Sequence, residues 1–271
     1  MVGQEKLLSQ FKELINQKRL PHFIILCGKL GMGKHCLINT LANDLCMEQT
    51  IISNSIDSIR GLISTAYNNL LDTFYVIENC DTMSDNAKNA LLKLCEETPR
   101  TAYIIMLVEN LDNILDTLKS RAQIYNLISY SKNELQEFMT LNNIMDNNIL
   151  DVAICPGDIL RLQEENNKNL FIYTKKVVDN LGRVSISNGL KIVKTINTNK
   201  TSTNGYDCDL FLNSLENACK QKYIETKDNR FIKFADIILD SKKALSRVSV
   251  NKLYELDNII IKGWLLWNCH S

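Results

Sequence analysis

The chain carries no net charge, with 31 Lys and Arg against 31 Asp and Glu. That balance argues against the whole molecule serving as a nucleic-acid-binding surface, although a local patch stays open. No run of about 18 apolar residues occurs, so neither a membrane span nor a membrane partner is expected. There is no C-x-x-C pair, no internal repeat and no low-complexity domain. Most of the nine cysteines sit in apolar runs (Cys27, Cys36, Cys46, Cys95), which reads as buried free thiols in a reducing, cytoplasmic setting. The first residues, MVGQEKLLSQFKELI, are amphipathic and contain Glu5 and Glu13, unlike a secretory or transit segment. What is present is ordinary for a globular protein of one or two domains: 271 residues, 45% hydrophobic and 23% charged.

Hydrophobic spacing sets the elements. Leu7, Leu8, Phe11, Leu14 and Ile15 form one stripe of a helix over Gln4 to Lys18, and Pro21 leads into a strand, Phe23 to Leu26. A helix to about Met47, a short strand near Ile51-Ile52 and a helix over Ile56 to Leu71 follow. Thr73 to Cys80 and Ala102 to Val108 are continuous apolar runs of the kind buried on both faces of a sheet. Between them Ser84 caps a helix, Asp85 to Glu97, which Thr98-Pro99 ends. A short helix, Asn113 to Lys119, precedes a fifth strand, Gln123 to Leu127. Alternation of this kind predicts an α/β domain, residues 1–127, with a parallel five-stranded sheet wrapped by helices.

Beyond it the strands fade. Ser131 and Glu134 form a capping box, Asn147 to Ile154 reads as a short helix, and Pro156-Gly157 opens another that runs toward Asn180. The reading is a small helical lid over 128–166 and a helical C-terminal domain over 167–271, with an exposed polar link at Thr195 to Gly205.

The chemistry concentrates in Ile24 to Ile38, IILCGKLGMGKHCLI. Strand, glycine-rich loop and helix follow each other with the spacing G-x-x-x-x-G-K at Gly28, Gly33 and Lys34, with Gly31 between. Such a loop turns backbone N–H groups toward phosphate oxygens, a helix N-terminus adds partial positive charge, and Lys34 supplies a point charge. The next residue should carry a hydroxyl for magnesium; it is His35, and imidazole is a poor magnesium ligand. The acidic strand end that should complete the metal site reads Glu78-Asn79-Cys80-Asp81. Glu78 is still anionic, but Asn79 cannot accept a proton where a water-polarising Glu belongs. Asp81 has two readings, an acid of the site or a cap of the following turn.

At these residues the chain resembles the AAA+ clamp-loader subunits of DNA replication, closest to the delta-prime and gamma subunits of bacterial DNA polymerase III. The resemblance covers Val2 to about Gln163. It rests on VGQEKLLSQFKELINQKRLPHFIILCGKLGMGK, ENCDTMSDNAKNALLKLCEETP and ILDTLKSRAQIY. It implies a P-loop AAA+ domain, a lid, and an all-helical collar that joins subunits into a five-membered ring. That ring opens a sliding clamp and sets it on primer–template DNA. It implies further that Arg121, in Leu118-Lys119-Ser120-Arg121 with Ala122 in place of the family's Cys, is an arginine finger acting on a neighbour's nucleotide.

The departures agree with one another. Besides His35 and Asn79, Val108 and Glu109 stand where the family senses the γ-phosphate, with Asn110 one place late, and Leu160 stands where an active subunit has a second sensing Arg. Arg161 is adjacent but about 100° round the helix. The four-cysteine zinc module of the bacterial chains has only Cys36 and Cys46 to draw on, so no zinc is expected. The expectation is a delta-prime-like subunit whose hold on ATP or ADP with Mg²⁺ is weakened and which donates Arg121. The alternative is a gamma-like subunit that hydrolyses ATP itself. A stand-alone P-loop kinase would need several lid arginines, and Ser131 to Asn166 offers only Arg161. Trp264 and Trp267 could stack on DNA or pack a terminal helix, and Lys175-Lys176 and Lys242-Lys243 read as solvated helix faces.

Overall fold

A computed structural model describes residues 2–167, 169–197, 205–247 and 250–268. The chain divides into two compact units, residues 1–134 and 135–271.

In the first unit, short apolar runs pair into one parallel sheet. The strands are β1 (Phe23–Cys27), β2 (Glu48–Ile52), β3 (Thr73–Ile77), β4 (Ala102–Val108) and β5 (Gln123–Asn126), in the order β2-β3-β4-β1-β5. Side chains alternate between faces, so each strand feeds two cores. Ile24 and Leu26 join Phe74, Val76, Ile105 and Leu107 on one face, under α1 (Glu5–Asn16) and α2 (Lys34–Leu45). Phe23 and Ile25 join Tyr75, Ile77, Ile104 and Met106 on the other, under α3 (Ile56–Asn68) and α4 (Asp85–Glu96). Burial on both faces is why β1, β3 and β4 are almost wholly apolar. The edge strand β2 is longer than its two isoleucines suggest and largely exposed, because it has a neighbour on one side only.

The expected Ser84 cap is present, its hydroxyl accepting from the N–H of Ala87. The helix expected over Asn113 to Lys119 is instead a 3₁₀ turn at Leu111–Asn113 followed by α5 (Asp116–Lys119). A third apolar strand end turns early: Thr73 to Cys80 stops as strand at Ile77, and Cys80–Thr82 form a 3₁₀ turn. Gln4, fully buried, ties the start of α1 to the end of the sheet. Its amide donates to the Ile128 carbonyl at 2.7 Å and accepts from the Ile128 N–H at 3.0 Å. The capping box at α6 (Lys132–Leu141) forms as read, with Ser131 N–H and hydroxyl both on Glu134.

The second unit is built from helices: α7 (Pro156–Leu162), α8 (Leu170–Asp179), α9 (Ile186–Val193), α10 (Cys208–Thr226), α11 (Asn229–Leu245) and α12 (Lys252–Asn268). Asn147–Asp151 is a 3₁₀ turn rather than a longer helix. The single helix expected from Pro156 to Asn180 is two, because buried Asn167 interrupts it. Its side-chain amide donates to the Arg161 carbonyl at 2.8 Å, satisfying the end of α7, and its oxygen accepts from the Asp207 N–H. Ile196–Asn197 pairs in parallel with Tyr206–Asp207, a two-residue ladder that spacing does not announce. The rest of the Thr195 to Gly205 link, 198–204, lies outside the described residues.

Trp267 packs edge-on against Phe231 and Phe234, with ring centroids 5.1 and 6.1 Å away, and Arg230 lies over its ring. That is the packing reading, for Trp267. Lys242 is not a solvated face: it bonds Glu216 and ties α11 to α10. Of the cysteines expected to be buried, Cys36 and Cys46 are exposed and Cys27 and Cys95 half-buried; burial does push the thiols of Cys155, Cys208 and Cys219 up to about 12, as inert core cysteines should be.

Candidate nucleotide-binding site

The loop from Gly28 to Gly33 leaves the carboxyl end of β1, where ligands gather in open parallel sheets. Gly31 and Gly33 take φ values of +83° and +90°, conformations that side chains resist, and Gly33 is the residue from which α2 starts. The Gly28 N–H donates to the Val108 carbonyl at 2.9 Å, which pins the loop to the end of β4. A Cβ on Gly28 would come within 3.1 Å of the Leu127 Cβ. Lys34 Nζ reaches back to the carbonyls of Gly28 and Lys29. Tyr130, which sequence reasoning passed over, donates its hydroxyl to the Met32 carbonyl at 3.0 Å and steadies the loop from outside.

The structure brings His35 together with the acid of the strand end, Glu78. His35, on the first turn of α2, sits with Nε2 3.1 Å from Glu78 Oε1 at the end of β3. Both are partly exposed, 46% and 35% at the side chain, so the pair faces solvent at the loop mouth. Asn79 turns away. It has φ +51°, a left-handed conformation that Asn tolerates better than Glu, and its carbonyl accepts from Asn54 Nδ2 and from Thr82.

Asp81 fits neither reading given to it. Its two carboxylate oxygens accept from the backbone N–H groups of Glu109 and Asn110 at 2.8 and 2.7 Å, bracing the chain as it leaves β4. The sequence signal was one-sided: a carboxylate three residues past Glu78 suggests a site acid, and nothing local names its partners some 28 residues on. Val108 is fully buried, while Asn110 uses its side chain to accept from the Asp112 N–H.

Arg121 lies elsewhere. It precedes β5, at the end of the sheet where strands enter rather than leave. One nitrogen donates to Glu96 Oε1 at 2.7 Å and another to the Thr117 carbonyl at 2.9 Å. It borders an open cavity of about 420 Å³ with Pro21, His22, Phe23 and Thr98. Four or five residues of strand at about 3.3 Å each, roughly 15 Å, separate it from its own loop. In the second unit Leu160 is exposed, and Arg161 is turned inward, held by Asp158 at 2.6 Å and Asp207 at 2.8 Å.

The residues present fit a nucleotide only in part. Lys34, the start of α2 and loop N–H groups are donors of the kind that cradle phosphate, although the N–H groups of Gly28, Lys29 and Met32 are already bonded within the protein. The donors for magnesium are an imidazole and a carboxylate already bonded to it, against that ion's demand for an octahedron of oxygens.

Known proteins share parts of this sequence and its fold. A family described as DNA polymerase III, delta subunit matches residues 49–131. A replication factor C small subunit of Staphylothermus marinus is 23% identical over 149 residues, 50% of this chain and 45% of that protein. The sliding-clamp-loader large subunit of Escherichia phage RB69 is 28% identical over 123 residues, 42% and 38%. The chain has the AAA+ fold and is similar in part of its sequence to clamp-loader subunits. A DNA polymerase III gamma subunit-related protein of Thermotoga maritima shares the fold with TM-score 0.50 and 17% identity over 95% of this chain and 98% of that one. The chain spans about half the length of the curated relatives it matches.

Proposed function

We propose that the chain is a delta-prime-like member of a DNA replication clamp loader. It assembles with other subunits in a ring of five, helps place a sliding clamp on primer–template DNA, holds nucleotide without efficient hydrolysis, and offers Arg121 to a neighbour. The names of the relatives support the clamp-loader role. The observation that carries the non-hydrolysing reading is the His35–Glu78 contact, set beside an exposed Asn79 in a left-handed conformation. Without a base at Asn79 and a hydroxyl at His35, neither the attacking water nor a magnesium ion has its usual protein partner. In this reading residues 1–127 are the nucleotide domain, 128–166 the lid and 167–271 the collar.

The purified chain, tested for release of phosphate from ATP with magnesium, is expected to show no turnover above background. Turnover near the range of about 1 s⁻¹ or more common for enzymes would instead favour the gamma-like ATPase.

A further inference from the structure

We propose that His35 and Glu78 take the place of the magnesium ion, so that the loop holds a nucleoside di- or triphosphate without a divalent metal. The inference rests on the nucleotide-binding reading above and concerns how that binding is achieved.

A phosphate chain lying on the Gly28–Lys34 loop brings several negative charges beside the end of β3. In the usual site a dication stands between them and the acidic strand end. Here the acid is Glu78, and a bare carboxylate there would repel the phosphates. It is not bare: His35 Nε2 lies against Oε1 at 3.1 Å. The imidazole is on the first turn of α2, directly after Lys34, where a metal-holding hydroxyl would otherwise stand. It therefore meets the acid from the helix position that would otherwise carry a metal-holding hydroxyl. Magnesium gains little by entering, because it would have to break this contact and rebuild its shell around an imidazole it binds poorly. The attraction left for phosphate is fixed in the chain: loop N–H groups, the N-terminus of α2, which has no acidic residue in its first turn, and Lys34. Attraction from a fixed cradle serves the diphosphate as well as the triphosphate, since neither needs a bridging ion.

The test is equilibrium binding of a fluorescent ADP derivative to the full chain, with magnesium and then with EDTA, and competition by unlabelled ATP in each. Dissociation constants within about twofold of each other are expected for the wild type. His35→Thr supplies a hydroxyl and releases Glu78, so magnesium should tighten its binding by about tenfold or more over EDTA. His35→Ala removes the imidazole and adds no hydroxyl; it should weaken binding in EDTA without acquiring the same dependence on magnesium. Thermal melts of both variants check that they fold. Wild-type binding that disappears in EDTA overturns the inference while leaving nucleotide binding in place. No binding in either condition overturns both.

Discussion

Asp81 carries more of the site than its position in the motif suggests. Both its oxygens accept main-chain N–H groups, from Glu109 and Asn110, and so hold the exit of β4 against the exit of β3. Asp81→Ala leaves two partly buried donors without that acceptor, at a cost of about 2 kcal/mol. Melting should fall by a few degrees, at about 2–4 °C per kcal/mol, and the amides of Glu109 and Asn110 should exchange hydrogen much faster than in the wild type. Asp81→Asn keeps one acceptor and should lose less. Unchanged exchange at both amides would mean the carboxylate is not the brace. The same scale shows what the sequence could and could not tell. Gly28, Gly31, Gly33 and Lys34 were legible because their spacing is local and each has its own physical reason. The partnership of His35 with Glu78 was not, since it joins two residues 43 positions apart, one read as a lost hydroxyl and the other as a retained acid. Asn79 looked like a missing base; its left-handed backbone gives a second reason for that residue type.

Elements of the first unit could be placed because their apolar runs are long and their stops are chemical: Pro21, Ser84, Thr98-Pro99. In the second unit the helices are amphipathic and their ends are set by distant partners, so α7 and α8 merged in the reading until Asn167 was seen to part them. Long-range ties of this kind also predict behaviour. Glu216 on α10 bonds Lys220 one turn on and Lys242 of α11, with its side chain 12% exposed. Burial alone would push this carboxyl up, but bonds to Lys220 and Lys242 outweigh it and hold the group below its ordinary 4.5. A carboxyl depressed in the folded state takes up its proton more readily when unfolded. Its contribution is therefore complete above about pH 4.5 and is lost as pH falls through the lower folded value. Glu216→Gln should cost about 1 kcal/mol at neutral pH, allowing for solvent around the two ammonium groups, and should flatten the acid side of the stability curve. Urea unfolding of wild type and variant at pH 7 and pH 3.5 measures this. A gap between the two proteins that does not narrow at the lower pH would remove Glu216 from the account.

For the whole molecule, the position of Arg121 carries the most weight. Sheet polarity puts the glycine-rich loop at one end of the parallel strands and Arg121 at the other, so the guanidinium is badly placed for a nucleotide on its own loop; in the proposed ring it would be offered to a neighbour's. A finger acting in trans needs no working base in its own subunit, which makes the losses at His35 and Asn79 compatible with keeping Arg121. Its bond to Glu96 joins two half-exposed groups, 37% and 51% at the side chain, and such pairs contribute about 0–1 kcal/mol. Removing the arginine should therefore leave the fold alone. In the complex assembled with its native partners, Arg121→Ala should slow hydrolysis at the one site it faces by about 10³- to 10⁵-fold, so that steady-state ATP turnover loses that site's share. Arg121→Lys should fail almost as badly, because an ammonium cannot reproduce the planar fork that bridges phosphate oxygens. Melting temperature and co-purification of the partners, measured on the same preparations, separate lost chemistry from lost assembly. An assembled complex that hydrolyses ATP at the wild-type rate with Arg121→Ala would show that this arginine serves only its own surface, paired with Glu96.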